Sequence, residues 1–281
     1  MDYRKIYLKV LKDIKKFHIP GMAIIVVNKS DIIFKKKYGN CLNYNTPFII
    51  GSMSKSFTAL AIMQLVERGK LNLNDKISKY VDISKWFIDK NNIDKITIKN
   101  LLNHTSGITT YQTFGKLKIT KLYGKYVYSN ANYGLLGIII ENITKKTYEE
   151  YINENIFIPL NMNYSAASLE KSKKNGLING YKNYFGIPIV SNVKYPFDIK
   201  QNTWTNVPAG YISSSILDIG KYLQMYLNDG KNIVNKNSIN SMFYDNIEFE
   251  KDSYYGMGWF YSEKNFKNKM LWHAGLVENY I

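Results

Sequence analysis

The sequence contains a single cysteine, Cys41, in 281 residues. That excludes an intramolecular disulfide and a cysteine metal cluster. Histidine is scarce as well: His18, His104 and His273 lie far apart, and no His-Glu-x-x-His occurs. No metal site and no cofactor are therefore expected. The longest apolar run, 135–140, falls far short of the roughly 20 residues of a membrane-spanning helix, so no transmembrane segment is expected. The opening MDYRKIYLKV is amphipathic rather than a signal peptide. As written, the chain is expected to be cytoplasmic, or at the cell envelope if a signal has been removed. Internal repeats and low-complexity linkers are also absent.

What is present is a globular composition. Hydrophobic residues make up 45% and aromatics 15%, which excludes a disordered chain. The length suffices for one large domain or two interleaved ones. The 24 tyrosines could line a groove, but more often such residues are core with a wet tip. Net charge is +16, from 38 basic and 22 acidic residues. A basic protein can favour nucleic acid or an anionic polymer. Here the lysines are spread along the chain and no nucleic-acid motif accompanies them. An A/T-biased coding sequence, rich in Asn and Ile, accounts for the charge more simply, and no specific nucleic-acid partner is expected.

Hydrophobic spacing outlines the elements. Tyr3, Ile6, Tyr7, Val10, Leu11, Ile14 and Phe17 repeat at three and four, an amphipathic helix ended by Pro20-Gly21. Two strands follow, 22–27 and 32–38, with turn chemistry between; the second, bearing Lys35, Lys36 and Lys37, looks like an edge. Residues 51–71 form an apolar, mostly buried helix closed by Gly69. Thr97 and Thr147 cap short helices, and Asn130 or Asn132 opens another. The stretch 176–207 is loop-like and aromatic. Ser213 to Ser215 begin a helix, and 254–261 and 269–273 are strand-like. Strands at both ends and helices between them predict an α+β fold: one antiparallel sheet from both chain ends with an inserted helical lobe. The boundaries are 1–50 and 208–281 for the sheet lobe and 51–207 for the helical lobe, with a ligand cleft between.

The chemistry centres on Ser52 and Lys55. Three residues is close to one helical turn, so both side chains leave on one face. A hydroxyl beside an amine at a helix start is a way to make a nucleophile. Ser-x-x-Lys recurs at Ser168 and Lys171 in a polar stretch, so spacing alone decides nothing; Ser52 could simply cap its helix. Tyr-x-Asn occurs six times, but Tyr128-Ser129-Asn130 stands at the junction of a loop and an apolar helix. His273-Ala274-Gly275 ends a strand, where a glycine allows close backbone approach. His104, in a tight Asn-His-Thr-Ser-Gly turn, is assigned to structure, bonding to backbone.

Together these segments resemble a known family. Gly-Ser-Met-Ser-Lys-Ser-Phe-Thr-Ala, Leu-Leu-Asn-His-Thr-Ser-Gly-Ile, Tyr-Ser-Asn-x-x-Tyr-Gly-Leu-Leu-Gly, Pro-Ala-Gly-Tyr-Ile-Ser-Ser, Tyr-Gly-Met-Gly-Trp and His-Ala-Gly follow in order. This is similar to the serine β-lactamase and penicillin-binding-protein-like hydrolases. The relevant branch holds class C β-lactamases, D-alanyl-D-alanine carboxypeptidases, D-aminopeptidases and related esterases. The resemblance covers nearly the whole chain. It implies Ser52 as the acylated nucleophile, Lys55 as the group sharing or accepting its proton, and Tyr128 as acid–base partner. It implies Asn130 as a holder of Lys55 and of the substrate amide, with His273 in the third motif. The backbone N–H groups of Ser52 and of Leu276, which follows Gly275, would form the oxyanion hole. Whether Lys55 or Tyr128 is the base stays open.

Two departures shape the expected activity. Ala274 stands where many β-lactam-reactive members have Thr, and His273 replaces Lys, which weakens a clamp on a substrate carboxylate. The expectation is a serine hydrolase acting on an ester, a D-amino-acid peptide or a β-lactam, in falling order. The alternative is a penicillin- or peptide-binding sensor or pseudoenzyme without turnover. In addition, the family continues beyond the third motif with strands and a closing helix, so these C-terminal elements are expected to be missing, with 278–281 as a strand just starting.

Overall fold

The structure, a computed structural model, describes residues 3–88, 93–110, 117–185, 187–191, 206–263 and 269–277. The chain begins with helix α1 (Tyr3–Phe17), strands β1 (Gly21–Val27) and β2 (Ile32–Gly39), and the short β3 (Pro47–Ile49). A single 3-10 turn, Gly51–Met53, leads into α2 (Ser54–Glu67). The helices α3 (Ile83–Trp86), α4 (Ile98–Leu102), α5 (Asn130–Thr144), α6 (Tyr148–Ile152) and α7 (Leu169–Lys174) follow. Then come β4 (Gly180–Tyr184), β5 (Ile187–Ser191), β6 (Ser213–Ser215), α8 (Ile216–Leu227) and α9 (Lys236–Tyr244). Strands β7 (Ile247–Glu250), β8 (Ser253–Tyr255), β9 (Phe260–Ser262) and β10 (Met270–Trp272) complete the described chain.

α2 is the centre of the packing. Every residue from Ser54 to Leu65 is buried, so neither face of this helix meets water, as its unbroken apolar pattern requires. It packs against α5, α9 and the wide helical turn Val207–Tyr211. Phe57 stacks on Tyr222 of α8 at 3.8 Å between centroids and meets Phe157 edge-on at 5.9 Å. The polar side chains of α2 are matched to backbone. Thr58 donates to the Pro208 carbonyl at 2.7 Å, and Ser54 Oγ accepts the Ile212 N–H at 3.1 Å. These bonds lock the turn Val207–Tyr211 along the start of α2.

Capping follows the sequence at α4 and α6. Thr97 and Asn100, and Thr147 and Glu150, form reciprocal capping boxes. α5 begins at Asn130, as the sequence suggests, with Ser129 at the N-cap making no side-chain cap bond. Asn130 and Asn132 are turned to other partners instead. Ser213 to Ser215 do not open a helix; they form β6, paired with Pro47–Ile49. Only Ser215 caps α8, accepting the Asp218 N–H at 3.2 Å. The stretch after Gly176 is not all loop, since β4 and β5 form a hairpin. Residues 192–205 lie outside the described residues, as do 278–281.

The expected single sheet is divided among the described residues. β1 pairs with β2, and β10–β9–β8–β7 form a separate antiparallel ladder. One face of β1 is covered by α8, with Ile25 filling the space beside Gly220. β2 carries its three lysines exposed, as an edge would. The stripe of α1 is only partly covered: Ile14 is buried, whereas Ile6 and Phe17 are exposed.

Because α2 has no exposed face, trimming its largest apolar side chain should cost the whole packing. Phe57→Ala is expected to lose about 3–5 kcal/mol of stability. The midpoint of urea unfolding at unchanged slope checks this; a shift worth under about 1 kcal/mol would contradict the central place of α2.

Candidate active site

Ser52 sits in the 3-10 turn ahead of α2, after Gly51, whose φ of +56° suits a residue without a side chain. The N-cap positions here are Ile50 for the turn and Met53 for α2, so Ser52 does not cap its helix. It faces Lys55 instead, whose Nζ lies 3.1 Å from Ser52 Oγ. The same amine donates to Asn130 Oδ1 at 2.8 Å and to the Ala209 carbonyl at 2.6 Å. The ring of Tyr128 lies 4.7 Å from Nζ, and the Ser52 hydroxyl is near enough to its phenol to ease loss of the phenol proton. Ser52, Lys55, Tyr128 and Asn130 therefore meet in one cluster.

Burial sets the proton affinities. Lys55 is completely enclosed, which holds its amine well below the ordinary lysine value. Its hydrogen-bond partners are two amide oxygens and a hydroxyl, and no carboxylate. Tyr128 moves the other way: burial pushes its phenol up to about 12, against a smaller lowering by Ser52. A neutral amine has two N–H donors and one lone pair. Asn130 Oδ1 and Ala209 O can only accept, so they take both donors. The lone pair is then left for the Ser52 hydroxyl.

The third motif lies across the cluster. A methyl on Gly51 would stand 2.6 Å from Leu276 N, and one on Gly275 would stand 2.1 Å from Ile50 O. Only glycine at both positions lets the two backbones touch, which places the Leu276 N–H beside the turn carrying Ser52. Val277 anchors the segment by packing with Ile49 of β3. His273 does not bond to the Ser52 cluster. Its Nδ1 lies 2.7 Å from the Ala274 carbonyl, which can only accept, so Nδ1 carries the proton. Nε2 then accepts the Tyr255 phenol O–H at 3.3 Å. Burial, outweighing the Ala274 bond, pulls His273 down to about 4, with Lys55 adding to the lowering. At neutral pH this side chain is uncharged.

Several participants escape sequence reasoning. Ala209 contributes a main-chain oxygen, which no residue type advertises. Gly258 has φ +77°, and a methyl there would lie 2.9 Å from Lys55 O; it brings the loop before β9 onto α2. Tyr255 orients His273. Both belong to the Tyr-Gly-Met-Gly-Trp segment, so the only signal was their presence in an ordered motif. Among the described residues no group of three or more potential metal ligands is found, and no helix is long and apolar enough to cross a membrane.

Comparisons with known proteins identify the family and the fold. The Beta-lactamase family profile matches residues 9–281. Protein flp of Staphylococcus aureus (strain NCTC 8325 / PS 47) is 30% identical over 95% of this chain. The match spans 57% of flp, so the chain corresponds to little more than half of that relative. Among solved structures, an octameric penicillin-binding protein homologue from Pyrococcus abyssi superposes with a TM-score of 0.84. It is 29% identical, covering 98% of this chain and 68% of the other. The fold is shared too by a D-amino acid amidase from Ochrobactrum anthropi SV3, at TM-score 0.78 and 19% identity, over 98% of this chain and 85% of that one. By a profile match over nearly its whole length, and with the fold in agreement, this chain belongs to the Beta-lactamase family.

Proposed function

We propose that the protein is a serine hydrolase in which Ser52 is acylated and then freed by water. The observation that carries this reading is the contact of a buried, carboxylate-free Lys55 amine with Ser52 Oγ at 3.1 Å. The neutral amine takes the Ser52 proton as Oγ attacks the substrate carbonyl. Negative charge gathers on the carbonyl oxygen, where the N–H groups of Ser52 and Leu276 stabilise it; one such donor contributes about 10²–10³-fold. The tetrahedral centre then collapses. The bond to the leaving oxygen or nitrogen breaks, and that atom takes a proton through the Tyr128 phenol, which regains one from the Lys55 ammonium. Water repeats the sequence on the acyl-enzyme with the proton path reversed. A phenol held near 12 is a poor base, so Lys55 takes that role and Tyr128 relays. Asn130 keeps the amine aimed at the hydroxyl.

The uncharged His273 bears on the substrate. A carboxylate placed against it at neutral pH meets no positive charge. Small esters should be turned over fastest, D-amino-acid peptides or amides next, and β-lactams least.

Four outcomes are expected. Intact mass after a fluorophosphonate should show one adduct on the wild type and none on Ser52→Ala; an adduct persisting on Ser52→Ala refutes the assignment. A chromogenic ester should give steady turnover, whereas a one-to-one burst that then stops would mark a sensor instead. The acylation rate should rise with pH as Lys55 loses its proton, along a limb centred below the ordinary lysine value because the folded amine is more acidic. A limb centred at that ordinary value, about 10.4, would remove Lys55 as the base. Finally, Gly275→Ala should slow acylation by about 10²-fold, by pushing Leu276 N away from Gly51. An unchanged rate would show that this N–H plays no part.

A further inference from the structure

His104 is fully buried, yet nothing in the mechanism above uses it. Its backbone has φ +61°, an uncommon conformation for a residue with a ring side chain. The reason for that conformation is visible in its partners. The His104 carbonyl accepts the Val127 N–H at 2.8 Å, and its Nδ1 accepts the Ser129 N–H at 3.2 Å. Its ring centroid lies 4.5 Å from that of Tyr128. One residue thus holds the main chain on both sides of Tyr128 and packs against the phenol ring as well.

The protonation state follows from the same contacts. Ser106 Oγ donates to Asn132 Oδ1 at 2.7 Å, which leaves Asn132 Nδ2 directed at His104 Nδ1, 3.4 Å away. Two N–H donors converge on Nδ1, so this nitrogen must carry a lone pair. An imidazolium would set a third N–H against them. The proton of the neutral ring is on Nε2, which has no hydrogen-bond partner. The titratable groups facing the ring are Tyr126, Tyr128, Tyr133 and Tyr255, with Lys55 and His273 close enough to repel a charge. Burial, then Lys55, then His273 hold the imidazole well below its ordinary value.

We propose that His104 is a positioning residue: as a neutral imidazole with its lone pair on Nδ1, it fixes Tyr128 at the separation from Ser52 and Lys55 that proton transfer needs. The proposal rests on the Ser52 reading above. A displacement of roughly 1 Å at a reacting group can cost about 10²-fold in rate. The role goes beyond filling space, because it needs an acceptor at one atom and an uncharged ring.

Two variants separate these demands. His104→Phe keeps a ring but leaves the Ser129 N–H buried and unpaired. His104→Asn places an amide oxygen where Nδ1 was, and asparagine tolerates the left-handed backbone. In ester turnover, His104→Phe should lower kcat by about tenfold to hundredfold with KM held within about threefold. His104→Asn should recover part of that kcat. Equal kcat in both variants and wild type overturns the proposal, as does a His104→Asn enzyme no better than His104→Phe. If His104→Phe fails to fold, His104→Ala takes its place as the variant without an acceptor: kcat lower than in His104→Asn at similar KM supports positioning, and equal kcat in the two overturns it. A second readout is independent of turnover. Nitrogen-15 NMR of the wild type, with His104 assigned by its loss in His104→Asn, should show an unprotonated Nδ1 from about pH 5 to pH 8. Charging of that ring within the range overturns the proposal, whereas absent labelling at Ser52 with Nδ1 still bare would fault only the hydrolase reading.

Discussion

The structure turns on an amine buried without a carboxylate. An isolated ammonium taken out of water costs several kcal/mol, and such a group more readily gives up its proton. A carboxylate beside Lys55 would reverse this by holding the charged form. Nature of the partners matters as much as burial: Asn130 Oδ1, Ala209 O and the Ser52 hydroxyl satisfy the amine in either state. With the proton on, it has three acceptors. With the proton off, only the hydroxyl can turn around and donate. The Tyr128 ring, 4.7 Å from Nζ, adds modest attraction for the charged form. The amine is thus housed without being locked.

That housing explains the packing around it. α2 must be buried on every face so that Lys55 is dry. The turn Val207–Tyr211 must lie along it so that Thr58 and Lys55 find the carbonyls of Pro208 and Ala209. Gly258 must lack a side chain so that the C-terminal ladder can close against the backbone of Lys55 and Ser56. Tyrosine serves both purposes: Tyr133 bonds the Leu102 carbonyl at 2.8 Å while its ring walls the site. Among the described residues six tyrosines are core, Tyr133, Tyr148, Tyr151, Tyr222, Tyr255 and Tyr261, whereas the others are half-buried or exposed.

Much of this was legible in the sequence, and the limits have physical causes. The spacing of Ser52 and Lys55 and the boundary at Tyr128-Ser129-Asn130 announced a cluster that the fold does assemble. The capping boxes at Thr97 and Thr147 could be read because they depend on side chains four residues apart at most. Asn130 opens α5 as expected, but its side chain serves Lys55, 75 positions away, which no local pattern reveals. Ser213–Ser215 looked like a helix start because only tertiary pairing with β3 makes it a strand. The part played by Ala209 and the bond from Tyr255 to His273 were invisible, since a carbonyl carries no residue signature and a phenol's partner is set by the fold. His104 was correctly assigned to backbone bonding, but its neighbour Tyr128 gives that bonding a wider meaning.

Gly51 and Gly275 meet in a seam of bare backbone. The groups gathered there and beside it, the N–H of Ser52, the N–H of Leu276 and the carbonyl of Ala209, are all main-chain atoms. They are the same whatever side chain is attached, and Leu276 itself points outward at 71% exposure. A lineage can then drift toward lysine and asparagine, to a net charge of +16, while the skeleton that frames the chemistry stays unaltered.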